Sequence, residues 1–148
     1  MGDFLYSCVQ LVHNIGAAAV VGSPAIAWWL TRASRKPEGL FGSPLAIVSV
    51  LHKLAWFTVI AWMTQVLSGV GFAATTYYLK HGLPELTDVG LMALGIKITC
   101  AIISIAFVFY YLKASSHRSV QTKAKVWQLL FMLGLAALIS AAFLRWYG

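Results

Sequence analysis

Charge is scarce in this sequence, and acidic charge is scarcer still. Charged residues fill 10% of the 148 positions, and only four of them are Asp or Glu. A soluble domain keeps about a quarter of its residues charged, so a chain built this way has too little polar surface to face water all round. The four carboxylates, Asp3, Glu38, Glu85 and Asp88, stand outside the long apolar runs. That excludes the paired intramembrane acids through which a proton-driven transporter works. Cysteine is nearly absent: Cys8 and Cys100 are the only two. They form neither a CxxC pair nor the CxxCH of covalent haem attachment, and one belongs near an interface while the other belongs near mid-membrane, too far apart for a disulfide. Met63, Met92 and Met132 stand singly and no loop is rich in histidine, whereas copper is held by clustered soft ligands. There is no HExxH, no phosphate-binding glycine loop and no nucleophile elbow. Hydrolytic and transferase chemistry therefore has no residues to carry it, and as an enzyme the chain is at most a redox subunit. Strand-like alternation, low-complexity tracts and internal repeats are missing as well.

What is present is apolar. Hydrophobic residues make up 60% of the chain and the mean hydropathy is +0.80. Because a bilayer core of about 30 Å takes roughly 20 apolar residues in a helix, the runs at 4–30, 45–80, 89–112 and 126–146 predict four membrane spans. Pro24 is expected to kink the first, with Trp28 and Trp29 at its far interface. Gly82 and Pro84 stop the second. Asp3 stands where a secretory leader would be basic, so the first span is expected to stay in the mature protein. The predicted fold class is all-α: a single domain over residues 1–148, an integral membrane four-helix antiparallel bundle.

The net charge of +7 has a topological explanation. Arg32, Arg35, Lys36, Lys53, Lys113, Arg118, Lys123 and Lys125 fall at one face, and only Lys80 and Arg145 at the other. The positive-inside rule then puts both termini outside. No aromatic or basic pattern of a nucleic-acid binder is interleaved with these charges, so the expected contact of the basic loop is anionic lipid of the bilayer, at about 1 kcal/mol per charge.

Against this background a few polar residues stand out. On the central run, the helical face from His52 continues through Trp56, Val59, Met63, Val66 and Val70, a bulky face with a possible ligand at one end. The same run carries Ser68, Gly69, Gly71, Ala73 and Ala74, small residues that let a helix or a flat cofactor approach the backbone. In the first span the face through His13 continues with Gly16, Ala17, Val20 and Pro24. An imidazole flanked by such small residues leaves room for a porphyrin edge, or it hydrogen-bonds a neighbour such as Asn14 or Gln10, or it packs on another subunit. In the third span Ala93, Lys97, Cys100 and Ser104 share a face. Lys97 is positioned to pair with a haem propionate, a quinone oxygen or Asp88, or to snorkel to the headgroups. Gly134, Ala137 and Ala141 give the last span a packing face.

The run LVHNIGAAAVVG, the second helix LHKLAWFTVIAWMTQVLSGVGFA and the third with its early lysine, LGIKITCAIISIAFVFYYLKA, together with a basic loop and a small-residue last helix, resemble the CopD-like copper-resistance membrane domain and its small four-helix relatives. The resemblance spans most of the chain, and the matching residues are His13, His52 and Lys97. It implies a four-helix bundle in the bacterial inner membrane, tied to copper handling or, in cytochrome-like relatives, to b-type haem; the outside face to which the basic residues assign both termini is then the periplasmic one.

Two functions are thus expected as alternatives. One is an electron-transfer protein with haem b, linking the quinone pool to a membrane or periplasmic redox partner. The other is copper passage, or a structural subunit within a homo-oligomer or a larger membrane complex. For haem, His13 is the first candidate ligand, with Lys97 near it. Depth separates His13 from His52, so the sixth position would be empty or filled by Met92 or by His13 of a symmetry mate. His52 with His117 would make a separate site at the inner face.

Overall fold

The structure is a computed structural model that describes residues 2–34, 44–80, 86–114 and 120–147. Four helices account for nearly all of these: α1 over Gly2–Ala33, α2 over Pro44–Lys80, α3 over Asp88–Ala114 and α4 over Val120–Tyr147. Each contains a stretch long and apolar enough to cross a membrane, and no strand occurs among the described residues.

The helices outrun the apolar spans where polar residues are still good helix formers. α4 begins at Val120, ahead of the predicted span, because Gln121, Lys123, Ala124 and Lys125 carry little helical penalty. At the start of α3 the cap is Thr87: its hydroxyl accepts the backbone N–H of Gly90 at 3.2 Å and its carbonyl accepts that of Leu91 at 2.9 Å. Those bonds satisfy donors that a helix start leaves open.

Pro24 lies inside α1, which continues unbroken to Ala33. Proline has no N–H, so the carbonyl of Val20 loses its partner one turn back. Here α4 comes in close: a β-carbon on Gly134 would sit 3.0 Å from the Val20 oxygen. Only glycine lets the α4 backbone approach the freed carbonyl, a place for a weak Cα–H···O contact. One residue earlier Ser23 donates to the carbonyl of Ala19 and meets the Thr58 hydroxyl of α2, both at 2.8 Å.

Neighbouring helices run in opposite directions. His13 and Ser23 of α1 meet Ser68 and Thr58 of α2 in reverse order, and Tyr111 of α3 packs on Trp127 of α4 with ring centroids 5.0 Å apart. The start of α1 and the end of α4 therefore share one end of the bundle, here termed the terminal end; the other is the loop end. α1 packs on α2 and α4, and α3 on α4. The seam between α2 and α3 is the thinnest of the ring.

The core divides by depth. Towards the loop end Ala27, Leu51, Ala55, Val108, Trp127 and Leu130 form a close-packed apolar plug. Midway, Val20, Ala61, Trp62, Cys100, Ala101 and Ala137 pack together. The predicted α3 face is an inner face, with Ala93, Cys100 and Ser104 all buried. The bulky α2 face is not: Trp56, Met63, Val66 and Val70 are exposed and only Val59 turns inward. Bulk there suits a lipid-contacting surface, where large apolar side chains meet acyl chains at no cost. Leu11, Ile15, Leu67 and Ile102 are exposed in the same manner. Cys8 and Cys100 are free thiols.

Candidate functional site

Polar side chains from two other helices converge on His13 of α1. Its Nδ1 lies 2.8 Å from the Ser68 hydroxyl of α2. Its Nε2 lies 2.9 Å from the Gln65 amide nitrogen of α2 and 3.1 Å from Lys97 Nζ of α3. The three positions are 5–9 Å from the middle of their spans on the terminal side, at roughly 1.5 Å of rise per residue. Lys97 thus turns into the bundle and does not snorkel to the headgroups. The face of α1 with Gly16 next to His13 makes room for α2, and the Ser68–Gln65 pair, three residues apart, falls on one side of that helix.

The hydrogen-bond pattern fixes the tautomer. The Lys97 ammonium can only donate, so Nε2 must accept, and Ser68, whose own hydrogen goes to the backbone carbonyl of Gln65 at 3.1 Å, accepts from the imidazole at Nδ1. Nδ1 therefore carries the proton, and Nε2 presents its lone pair. Gln65 Nε2 and Lys97 Nζ are both donors, and they share that single lone pair. The arrangement also sets the Gln65 amide, since its oxygen in the same place would find no hydrogen on Nε2. The edge of Phe72 closes another side of the imidazole, with ring centroids 5.4 Å apart and planes at 85°, and Tyr6 packs edge-on against Phe72 in turn.

Two features leave this network incomplete. Gln65 is 7% exposed, and its Oε1 is buried without a hydrogen-bond partner. It faces α1 at Gly16, where an ideal β-carbon would come within 2.8 Å of it. Lys97 spends one N–H on His13, and among the described residues no carboxylate is seen to join the cluster. Asp88, the acid of α3, lies nine residues away, about 13 Å along the helix. A cation so placed keeps N–H hydrogens beyond the one given to His13, and Lys97 can offer them to a ligand oxygen.

The other sequence candidates are not brought here. His52 is exposed on α2, thirteen residues from Gln65, about 20 Å along the helix. Met92 is 68% exposed, and five residues from Lys97 it points some 140° around α3, towards lipid. His117 lies outside the described residues. Asn14 is exposed, and the partners of His13 come from α2 and α3, not from its own helix.

A haem iron does not fit His13 as these residues stand. Iron needs the Nε2 lone pair, which Gln65 and Lys97 occupy, and neither His52 nor Met92 reaches the same place as a second ligand. No group of three or more His, Cys, Asp or Glu converges among the described residues.

Gln65 is the functional residue that sequence reasoning missed, and Ser68 was legible only as a small residue. The available signal was the amide itself: Gln65 is the lone carboxamide inside the apolar part of α2, and an unpartnered amide there is costly. No family model, curated protein or solved structure matches the chain.

Proposed function

We propose that the protein is a small multi-pass redox subunit that binds the head group of a membrane quinone at Lys97 and His13. The observation that carries this reading is the 3.1 Å contact between Lys97 Nζ and His13 Nε2 in a half-buried site, where no acid among the described residues is seen to pair with Lys97. A neutral quinone oxygen accepts a charge-assisted hydrogen bond from Lys97, and the same ammonium favours the anionic oxygen formed when the ring gains electrons. The electrons pass to or from a redox partner in the membrane or the periplasm. Haem b and copper are the competing cofactors. The occupied Nε2 lone pair weighs against both at His13.

The test is equilibrium binding of decyl-tailed benzoquinone to the purified protein, read by quenching of tryptophan fluorescence, with a visible spectrum of the same sample. Saturable binding at one site, weakened in His13→Ala and unchanged in His52→Ala, is the expected result. A reducible Soret band lost in His13→Ala, with no quinone binding, would replace this reading by the haem one.

Positive-inside charge supports an orientation in a bacterial inner membrane with the terminal end on the periplasmic side. In a chain whose native cysteines are replaced by serine, Ser116→Cys should be labelled by a membrane-impermeant maleimide only from the cytoplasmic side. Glu85→Cys should be labelled only from the periplasmic side. Labelling of both from one side would sink the topology.

A further inference from the structure

The thin seam between α2 and α3 changes character along its length. On α2, Ala55, Val59, Trp62, Val66, Gly69 and Ala73 recur at intervals of three and four and so share one stripe. Its loop-end half is closed: Ala55, Val59 and Trp62 are buried, and Trp62 packs with Cys100 and Ala101 of α3. From Val66 onward the same stripe is open. Val66 is 42% exposed, Ala73 is exposed, and a β-carbon on Gly69 would meet nothing within 4 Å. The change falls at the depth of Gln65 and Lys97. At the inner limit of the open stretch Trp62 is 1% exposed, and its Nε1–H is buried with no partner, a donor without an acceptor in a place where such groups are nearly always satisfied.

We propose that this open stretch is a lateral entrance to the His13–Lys97 site, and that the isoprenoid tail of a bound quinone leaves the bundle across Gly69. The inference rests on the quinone reading above. A head group at Lys97 has to be reached from lipid, because the tail is too apolar to thread through water. The loop-end half of the same seam is shut by Trp62 and its neighbours, and the α1–α2 side of the site is filled by Gln65 against Gly16. Among the described residues, the seam on the terminal side of Trp62 is lined by small or lipid-exposed residues.

The experiment compares two probes with the same benzoquinone ring, one without a tail and one with a decyl tail, on wild-type protein and on Gly69→Phe. Each probe is compared with itself across variants, so partition into lipid cancels. A β-carbon at Gly69 meets nothing within 4 Å, which makes it the first position for the bulky substitution, and Ala73→Phe, one turn nearer the terminal end, serves if Gly69→Phe does not fold. Gly69→Phe is expected to weaken the tailed probe at least about tenfold, the scale of a pocket steric change, and to leave the tailless ring within about twofold. An equal effect on both probes, or none on either, would overturn the entrance. Wild-type protein that binds neither probe would overturn the quinone site itself, an outcome independent of Gly69.

Discussion

Lys97→Met should weaken binding of a tailed benzoquinone by about 10- to 100-fold, the worth of one charge-assisted hydrogen bond, and should do so without lowering the melting temperature. Methionine keeps the length of the side chain and removes the ammonium. His13 Nε2 is not orphaned by the change, since Gln65 still donates to it at 2.9 Å. An intramembrane lysine, moreover, is held at a cost to folding that methionine does not carry. A lysine present only to hold α3 against α1 predicts the opposite pair of results: lower stability, because the 3.1 Å bond between those helices is lost, and unchanged quinone affinity. Measuring both quantities on one preparation separates the roles. Affinity equal to wild type would remove Lys97 from the binding site.

How much of this was visible in the sequence depends on the kind of signal each residue leaves. The four helices follow from hydropathy and length, because a bilayer imposes both directly. The inner face of α3 was equally legible, since Ala93, Lys97, Cys100 and Ser104 recur at helical spacing and all four are small or polar. The inner face of α2 was not. In a membrane, bulk no longer marks the interior, so Trp56, Met63 and Val70 point to lipid while Thr58, Gln65 and Ser68 point inward. Depth arguments kept His13 apart from His52, but they could not choose what His13 touches. That depends on how α2 is rotated about its axis, and the rotation is set by contacts such as Gly16 against Gln65, a pairing between residues 49 positions apart that no local pattern encodes.

That pairing gives the second large effect. Gly16→Ala should destabilise the bundle by about 1–3 kcal/mol, the usual cost of overpacking a tight core, because the new methyl would lie 2.8 Å from Gln65 Oε1 and 3.6 Å from the Gln65 backbone nitrogen. Gln65 is buried against α1 at His13 and Gly16, and swinging out to lipid would take its amide away from His13 and out of the protein. The strain is relieved by shortening Gln65 or by parting α1 from α2. A double-mutant cycle distinguishes this contact from a general intolerance of α1 to substitution. In the wild-type background Gln65→Ala removes a donor to His13 and leaves a cavity, so it should be costly. In the Gly16→Ala background the alanine methyl partly fills that cavity and the clash is gone, so the same substitution should cost less, or restore stability outright. The expected coupling is at least about 1 kcal/mol in the direction of rescue, beyond the few tenths that independent sites show. Strict additivity of the two substitutions in thermal or denaturant unfolding would mean that Gly16 and Gln65 do not meet, and the packing that turns Gln65 and Ser68 towards His13 would lose its basis.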